Sequence, residues 1–138
     1  MIRKLALEDL GWIAQLDSLC FEKPWSKSAI QEELLHADAH CYGIPEAAVL
    51  LTRQLADERW VFRIMTAPHV RRKGYAKQLI KALEGLDLWL EVSELNLQAI
   101  AFYENLGFEK ICKRLNYYPE SAWVMRRCSP KENGVSAC

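Results

Sequence analysis

The sequence VRRKGYAK, residues 70–77, lies near the middle of the chain and links a predicted strand to a predicted helix. A strand-like apolar run, residues 60–66, precedes it, and apolar residues at helical spacing follow it. The pattern is a strand, a basic turn containing Gly74, and a helix. The first N–H groups of such a helix lack partners and carry the positive end of the helix dipole, which favours a phosphate group. A solvated helix start has the same pattern, so this stretch alone leaves both interpretations open.

Composition limits the classes of protein to which the chain can belong. Its 138 residues are enough for one domain with a buried core. Lysine plus arginine and aspartate plus glutamate each total 18, so the net charge is zero and no basic field favours a nucleic-acid partner. An apolar fraction of 51% is typical of a folded globule. No apolar run approaches the length of a membrane span, so we expect no membrane partner.

The cysteines and the first residues favour a cytoplasmic protein. The five cysteines form no C-x-x-C pair and no cluster with histidine at zinc spacing, so we predict reduced thiols and no metal site. Glu8 and Asp9 come too early for the apolar region of a signal peptide. We expect a single domain over residues 1–128 and a loose tail over residues 129–138.

Periodicity and capping residues predict elements in the order β-α-α-β-β-β-α-β-α-β-β. Ser26 and Asn96 are good N-caps for the second and fourth helices. Antiparallel strands come first and a β-α-β crossover comes later, which predicts an α/β fold with a mixed, mostly antiparallel central sheet flanked by helices on both faces. The expected strands are residues 1–6, 40–44, 47–53, 59–66, 87–92, 109–115 and 122–127, and the expected helices are residues 7–20, 27–36, 74–86 and 97–106.

Two residues in these elements have side chains suited to proton transfer. Glu91 interrupts an apolar strand near its carboxyl end, where ligands enter α/β sheets, and burial there would make its carboxylate a stronger base. A strand-end glutamate that simply reaches water is the alternative. Tyr103 lies on a helix otherwise turned to the core, so it is either a packing residue or a phenol that donates a proton. The turn NYYP, residues 116–119, either packs or lines a cleft.

Nucleophilic catalysis finds little support in the sequence. His36, His40 and His69 have no catalytic motif around them, and Cys41 and Cys112 have no evident activating partner. We therefore expect a reaction that needs no covalent intermediate on the enzyme.

These residues combine into the motifs of a known family. The chain resembles the GNAT acetyltransferases over about residues 1–127, and within them the bacterial ribosomal-protein-alanine N-acetyltransferases of the RimI type. The basic turn marks only the superfamily, whereas the later motifs in this order are more specific. The motifs are Pro24-Trp25-Ser26, Arg71-x-x-Gly74-x-Ala76, Leu90-Glu91-Val92, Asn96, AIAFYENLGF at residues 99–108 and NYYP at residues 116–119.

The resemblance implies the GNAT fold, a co-substrate and a set of site residues. Acetyl-CoA would be the acetyl donor, with Glu91 as the general base and Tyr103 as the general acid, and no metal is implied. The remaining assignments are Ile64, Met65 and Thr66 for the pantetheine arm through their backbone, Arg71, Arg72, Lys73, Gly74, Tyr75, Ala76 and Lys77 for the pyrophosphate, and Asn96 for the cofactor near the thioester.

The implied reaction is transfer of the acetyl group to the N-terminal α-amine of a protein. A small-subunit ribosomal protein that begins with alanine is the best single guess for the acceptor. Two alternatives stay open: a lysine side chain or small amine as acceptor, and a non-catalytic acyl-CoA-binding module in which Glu91 and Tyr103 are only structural. The relatives also carry a longer third helix than residues 74–86 allow.

Overall fold

The computed structural model describes residues 1–115 and 120–129, and its helices and strands follow the predicted order. The strands are β1 (Arg3–Lys4), β2 (Ala39–Ile44), β3 (Ala48–Leu55), β4 (Glu58–Thr66), β5 (Leu88–Ser93), β6 (Glu109–Arg114) and β7 (Ala122–Arg127). The helices are α1 (Leu10–Cys20), α2 (Lys27–Leu35), α3 (Tyr75–Lys81) and α4 (Leu97–Asn105).

The strands are hydrogen-bonded in the order β1-β2-β3-β4-β5-β7-β6. β4 and β5 run parallel, whereas β2 is antiparallel to β1 and β3, and β7 is antiparallel to β5 and β6. The prediction of a mixed, mostly antiparallel sheet is therefore confirmed. The chain divides into two compact units, Met1–Asp57 with Val61–Ala82 and Glu58–Trp60 with the residues from Leu83 onward. The single domain expected over residues 1–128 stays a prediction.

Helices cover both faces of the strands in the first unit. Val49 and Leu51 of β3 share one buried cluster with Ile13 of α1 and Ile30 of α2. Leu50 lies between them in sequence, so its side chain points to the opposite face of the sheet. It is fully buried, and α3 contacts β3. Alternation along β3 thus provides an apolar surface for helices on each side.

A buried ion pair joins α1 to β4 in the first unit. Asp17 is 0% exposed, and Arg63 donates to it twice, from Nε to Oδ2 at 2.7 Å and from Nη2 to Oδ1 at 3.0 Å. The backbone N–H of Trp25 also donates to Oδ1, at 2.9 Å. The guanidinium carbon of Arg63 lies 3.7 Å from the centre of the Phe21 ring and 4.7 Å from that of Trp25. These contacts fasten the segment between α1 and α2 to the strand.

Two helix starts confirm the predicted caps. The hydroxyl oxygen of Ser26 accepts a hydrogen bond from Ala29 N at 3.1 Å at the start of α2. The side-chain oxygen of Asn96 accepts one from Ala99 N, also at 3.1 Å, at the start of α4. Each cap satisfies one of the N–H groups that the first turn of a helix leaves without a partner.

Two predicted boundaries are wrong for local reasons. The first strand is only Arg3–Lys4 because the Asp9 carboxylate accepts from Ala6 N at 2.9 Å and opens a 3-10 turn, Leu7–Asp9. The third helix ends at Lys81 rather than at residue 86, and residues 82–85 form turns. Gly85 disfavours a helix there.

The turns that replace the end of the third helix have their own hydrogen-bond donor. Arg127 Nη2 donates to the backbone carbonyl of Leu83 at 2.7 Å and to that of Leu86 at 3.2 Å. These carbonyl groups are therefore satisfied without a longer helix. The shortened α3 agrees with the short connection noted in the sequence.

The second unit buries one face of β5 and leaves ionisable and aromatic side chains on the other. Leu88, Leu90 and Val92 are buried, as are Met125 of β7 and Ile100 of α4. Alternation along β5 places the intervening side chains on the opposite face. There the rings of Trp60 and Trp89 stack with centroids 5.6 Å apart, and the Arg126 guanidinium lies 4.9 Å from the Trp89 ring.

Among the four cysteines in residues 1–115 and 120–129, three follow the prediction, and Cys138 lies outside the described residues. Cys20, Cys41 and Cys112 are free thiols. Cys128 is disulfide-bonded, so the prediction of a reduced thiol is wrong there. A disulfide depends on the distance between two Cα atoms in the folded chain, which the spacing along the sequence does not reveal. Within residues 1–115 and 120–129, no helix is both long and apolar enough to cross a membrane.

Candidate functional site

The turn before α3 presents backbone N–H groups at an open surface in the first unit. Arg72 and Gly74 both adopt positive φ angles, 71° and 78°. Gly74 is the N-cap and has no side chain to cap the helix, whose first hydrogen bond runs from Gln78 N to Gly74 O at 2.9 Å. The N–H groups of the three residues in between lack an acceptor within the helix. A Cβ atom at Gly74 would meet no described atom within 4 Å, so space for a ligand is open there.

The basic side chains of this turn do not all point the same way. Arg71 Nε donates to the backbone carbonyl of Thr66 at 3.2 Å, so this side chain lies back on the end of β4. Cys20 Sγ donates to the same carbonyl at 3.2 Å. Arg72 and Lys73 are exposed. The turn therefore combines free backbone donors with two exposed positive charges, which is chemistry suited to a phosphate.

The strand expected to hold the pantetheine arm is β4, in the same unit as the turn. The side chain of Met65 is buried in the core cluster, and Ile64 and Thr66 are half-buried. Thr66 already uses its carbonyl for Arg71 and Cys20. A ligand beside β4 would therefore find the Thr66 carbonyl occupied.

Glu91 lies on β5 in the second unit and is not isolated from water. Its side chain is 25% exposed, and its Oε1 accepts a hydrogen bond from Arg114 Nη1 at 2.8 Å. Of the two interpretations from the sequence, a buried carboxylate and a strand-end glutamate that reaches water, the structure lies between them, because the carboxylate is partly buried and has both solvent contact and a cationic partner. Nothing in the sequence around Arg114 signals this pairing.

The register of the strands explains how Arg114 reaches Glu91. Glu91 pairs with Val124 of β7, and Val124 pairs with Cys112 of β6, so these three side chains share one face. Arg114 is two residues beyond Cys112 and lies on that face too. A register shift between Lys110 and Cys112 sets this alignment.

Further polar contacts tie the end of β5 to β6 and β7. Ser93 Oγ donates to Glu120 Oε1 at 2.6 Å, and the Glu94 carboxylate accepts from Ser121 N at 3.0 Å. Lys113 Nζ lies 3.2 Å from Glu94 Oε1, and its hydrogen bond lowers the pKa of the Glu94 carboxyl. The sequence does not signal these contacts, because their partners lie far apart along the chain.

Tyr103 is half-buried on α4 in the second unit. Its ring meets those of Phe102 and Phe108 edge-on, with centroids 5.4 Å and 5.5 Å away. Burial raises the pKa of the Tyr103 phenol to about 12. The phenol therefore keeps its proton throughout the neutral range and can act as a proton donor but not as a base.

Asn96 is in the second unit with Glu91 and Tyr103. Because its side-chain oxygen caps α4, only its amide NH₂ group is left to donate to a ligand. The two neighbours, Leu95 and Leu97, are exposed by 72% and 74%.

The site residues assigned from the sequence thus fall into two groups. The first unit holds Ile64, Met65 and Thr66 and the turn from Arg71 to Lys77, and the second holds Glu91, Asn96 and Tyr103. Residues 116–119, the NYYP turn, lie outside the described residues. In the part of the chain that the structure describes, no group of three or more His, Cys, Asp or Glu side chains is arranged to hold a metal ion.

Comparison with known proteins gives the family. Residues 33–110 match the family described as Acetyltransferase (GNAT) domain. The chain is 40% identical over 129 residues to the [Ribosomal protein bS18]-alanine N-acetyltransferase of Escherichia coli K12, covering 86% of each protein. It is 30% identical over 132 residues to the Haemophilus ducreyi protein of the same name, covering 86% of this chain and 89% of that protein.

A solved structure agrees with the sequence matches. The crystal structure of the ribosomal-protein-S18-alanine N-acetyltransferase from Escherichia coli superposes with a TM-score of 0.81 and 29% identity, covering 92% of both chains. The predicted GNAT fold is therefore confirmed. The left-handed basic turn, the parallel pairing of β4 with β5 and the agreement with these relatives all lead to one conclusion: the chain belongs to the GNAT acetyltransferase family.

Proposed function

We propose that the chain transfers the acetyl group of acetyl-CoA to the N-terminal α-amine of a protein, with a ribosomal protein that begins with alanine as the acceptor. Acetyl-CoA is the co-substrate of the GNAT family. The observation that carries the choice of acceptor is the 40% identity, over 86% of each chain, to a [Ribosomal protein bS18]-alanine N-acetyltransferase. We further propose that the chain acts in the cytoplasm and has no membrane or nucleic-acid partner; the zero net charge supports the absence of a nucleic-acid partner.

The turn before α3 would bind the pyrophosphate of acetyl-CoA. Three N–H groups ahead of the first helical hydrogen bond support this role, as do the exposed charges of Arg72 and Lys73. The positive φ angle of Gly74 keeps these groups accessible without a side chain above them. The backbone of Ile64, Met65 and Thr66 and the amide of Asn96 would contact the rest of the cofactor.

Glu91 would remove the proton that prevents the acceptor from reacting. An α-amino group has a pKa of about 8, so most of it is protonated at pH 7 and cannot attack a thioester. Glu91 would take that proton, directly or through a water molecule. Its partial burial and position on β5, rather than on a mobile loop, support the assignment.

Tyr103 would return a proton at the end of the reaction. The amine nitrogen attacks the carbonyl carbon of the thioester, the carbon–sulfur bond breaks, and the sulfur leaves with the bonding electrons as a thiolate. The Tyr103 phenol would protonate that sulfur as the carbon–sulfur bond breaks, and the second proton, which the attacking nitrogen loses when it becomes an amide, would restore the phenol. No acyl-enzyme forms, so the reaction needs no nucleophilic serine or cysteine. Positioning the amine and the thioester together would provide much of the acceleration.

Acetylation of a defined set of peptides tests the acceptor class. The purified chain is incubated with acetyl-CoA and three acceptors: a peptide with a free N-terminal alanine, the same peptide with a blocked N-terminus and an internal lysine, and a polyamine. Mass spectrometry should find the acetyl group on the N-terminal alanine only. Acetylation of lysine or polyamine alone would overturn the N-terminal assignment. Binding of acetyl-CoA without any transfer would favour a non-catalytic module.

Two conservative variants test the catalytic pair. Glu91→Gln and Tyr103→Phe should each lower turnover at least about tenfold, because each removes a proton-transfer group while keeping its shape. Binding of acetyl-CoA, measured by calorimetry, should be unchanged in both. Full turnover in both variants would remove the support for Glu91 and Tyr103 as base and acid.

A further inference from the structure

Arg71 begins the basic run of the turn, yet its side chain bonds to the protein. Its Nε donates to the backbone carbonyl of Thr66 at 3.2 Å. The donor is the nitrogen bonded to Cδ, not one of the two nitrogens at the end of the guanidinium group. The bond joins residues five positions apart and closes a small loop around the 3-10 turn Pro68–Val70. Arg71 is therefore part of the internal structure of the turn.

The carbonyl group that accepts this bond is itself held in place. Thr66 O also accepts from Cys20 Sγ, at 3.2 Å, at the end of α1. On the other side of the same peptide bond, Ala67 N donates to Ala47 O at 2.7 Å, and Ala67 is buried. Because a peptide unit is planar, contacts at both its C=O and its N–H fix its orientation. The Arg71 side chain is thus bonded to a fixed point at the end of β4.

The residue after Arg71 needs support from its neighbours. Arg72 has a φ angle of 71°, a left-handed conformation that is strained for a residue with a side chain. Such a residue keeps its conformation only where the surrounding structure holds it there. In the described part of the chain, the last backbone bond before it is the long one from Arg71 N to Pro68 O, at 3.5 Å, and the next is accepted by Gly74 O. The Arg71 side chain adds a shorter bond where the backbone support ends.

We propose that Arg71 is a positioning residue, which holds the turn in the conformation that presents its N–H groups to the pyrophosphate. It acts through the hydrogen bond from Nε to Thr66 rather than through its charge. The exposed side chains of Arg72 and Lys73 supply the positive charge instead. This inference rests on the proposed binding of the pyrophosphate by the turn.

The position of the donor decides which side chains can replace Arg71. The amide nitrogen of glutamine is also bonded to Cδ, so glutamine in the same conformation places an N–H donor where Arg71 Nε lies. Lysine keeps the charge, but its Nζ is one bond further from the backbone. Methionine has neither a charge nor a donor. A neutral glutamine should therefore replace Arg71 better than a charged lysine, whereas direct contact of Arg71 with a phosphate requires the reverse order.

Calorimetry with acetyl-CoA tests this order. Arg71→Met should raise the Kd about three- to tenfold, the effect of one hydrogen bond. Arg71→Gln should recover most of that loss, and Arg71→Lys should recover less than Arg71→Gln. The comparison of Met with Gln is matched in charge, because both are neutral and only Gln has the donor. Without acetyl-CoA, hydrogen exchange at the amides of residues 72–74 should be faster in Arg71→Met and close to the parent in Arg71→Gln.

The neighbouring arginine provides the control. Arg72→Met and Arg72→Gln should weaken the binding of acetyl-CoA to the same extent, because Arg72 contributes charge and not a donor at a fixed position. That loss should shrink as the salt concentration rises, since salt screens exposed charges. The side chains at both positions are exposed, so we expect all five variants to fold, and melting curves check this.

Each way of failing has its own result. Equal weakening in Arg71→Met and Arg71→Gln, with binding kept in Arg71→Lys, would overturn the positioning role and assign Arg71 a direct charge contact. Unchanged binding in Arg71→Met, while the Arg72 variants weaken it, would overturn the positioning role and leave the turn as the pyrophosphate site. Unchanged binding in every variant at both positions would overturn the turn as that site and this inference with it.

Discussion

Replacing Asp17 with alanine leaves the Arg63 guanidinium without its carboxylate in a place where it is only 13% exposed. Two charged hydrogen bonds, at 2.7 Å and 3.0 Å, disappear together with the acceptor for Trp25 N. Breaking a buried pair by removing one partner costs about 3–5 kcal/mol. Because a domain has only about 5–15 kcal/mol of unfolding free energy in total, this is a large fraction. We expect the melting temperature to fall by roughly 10 °C or more.

Chemical denaturation measures this loss, with Asp38→Ala as the matched control because Asp38 is an exposed aspartate in the same unit. The control should change the unfolding free energy by less than about 0.5 kcal/mol. Hydrogen exchange at the Trp25 amide should accelerate in Asp17→Ala, since that N–H group loses its acceptor.

A second substitution tests the cause. The double variant Asp17→Ala with Arg63→Met removes the orphaned charge and keeps an apolar chain against Phe21. It should be more stable than Asp17→Ala alone. A loss below about 1 kcal/mol in Asp17→Ala, or further destabilisation in the double variant, would refute the reasoning from an uncompensated buried charge.

Three other predictions concern single residues. Gly74→Ala should lower the free energy of unfolding by about 1 kcal/mol, because alanine disfavours a φ angle of 78°. It should also raise the KM for acetyl-CoA in steady-state assays. An unchanged KM would mean that the turn does not bind the cofactor. Tyr103 should ionise at a pH near 12 in difference spectra of the parent against Tyr103→Phe. Because the native phenol keeps its proton to a higher pH than the unfolded one, the free energy of unfolding should fall as pH rises from about 10 to about 12. Ionisation of Tyr103 at a lower pH would contradict the assignment. Burial raises the pKa of the Cys41 thiol to about 11, so Cys41 should resist alkylation at pH 8 while the exposed Cys112 reacts. Peptide mapping would measure both rates, and similar rates at the two cysteines would contradict the prediction.

Local signals predicted the helices and strands well. Ser26 and Asn96 cap their helices because the interaction spans only three residues, so the sequence contains both partners side by side. The order of elements and the mixed sheet followed from apolar periodicity and turn residues in the same way.

Contacts between distant residues could not be predicted. Arg127 donates to the carbonyl groups of the turns after α3 although it is 44 residues from Leu83, and the partner of Glu91 depends on a register shift in β6. For the Asp17–Arg63 pair a signal did exist. Asp17 falls next to Leu16 on the buried side of α1, and a carboxylate there requires a cationic or hydrogen-bonding partner. The sequence does not identify that partner as Arg63.

The stacked pair Trp60 and Trp89 has an optical consequence. Two indole rings with centroids 5.6 Å apart and planes inclined by 24° couple their electronic transitions. They lie at the register position where β4 and β5 pair in parallel. The exciton signal of these coupled chromophores in circular dichroism therefore reports on the pairing of these two strands without any added dye.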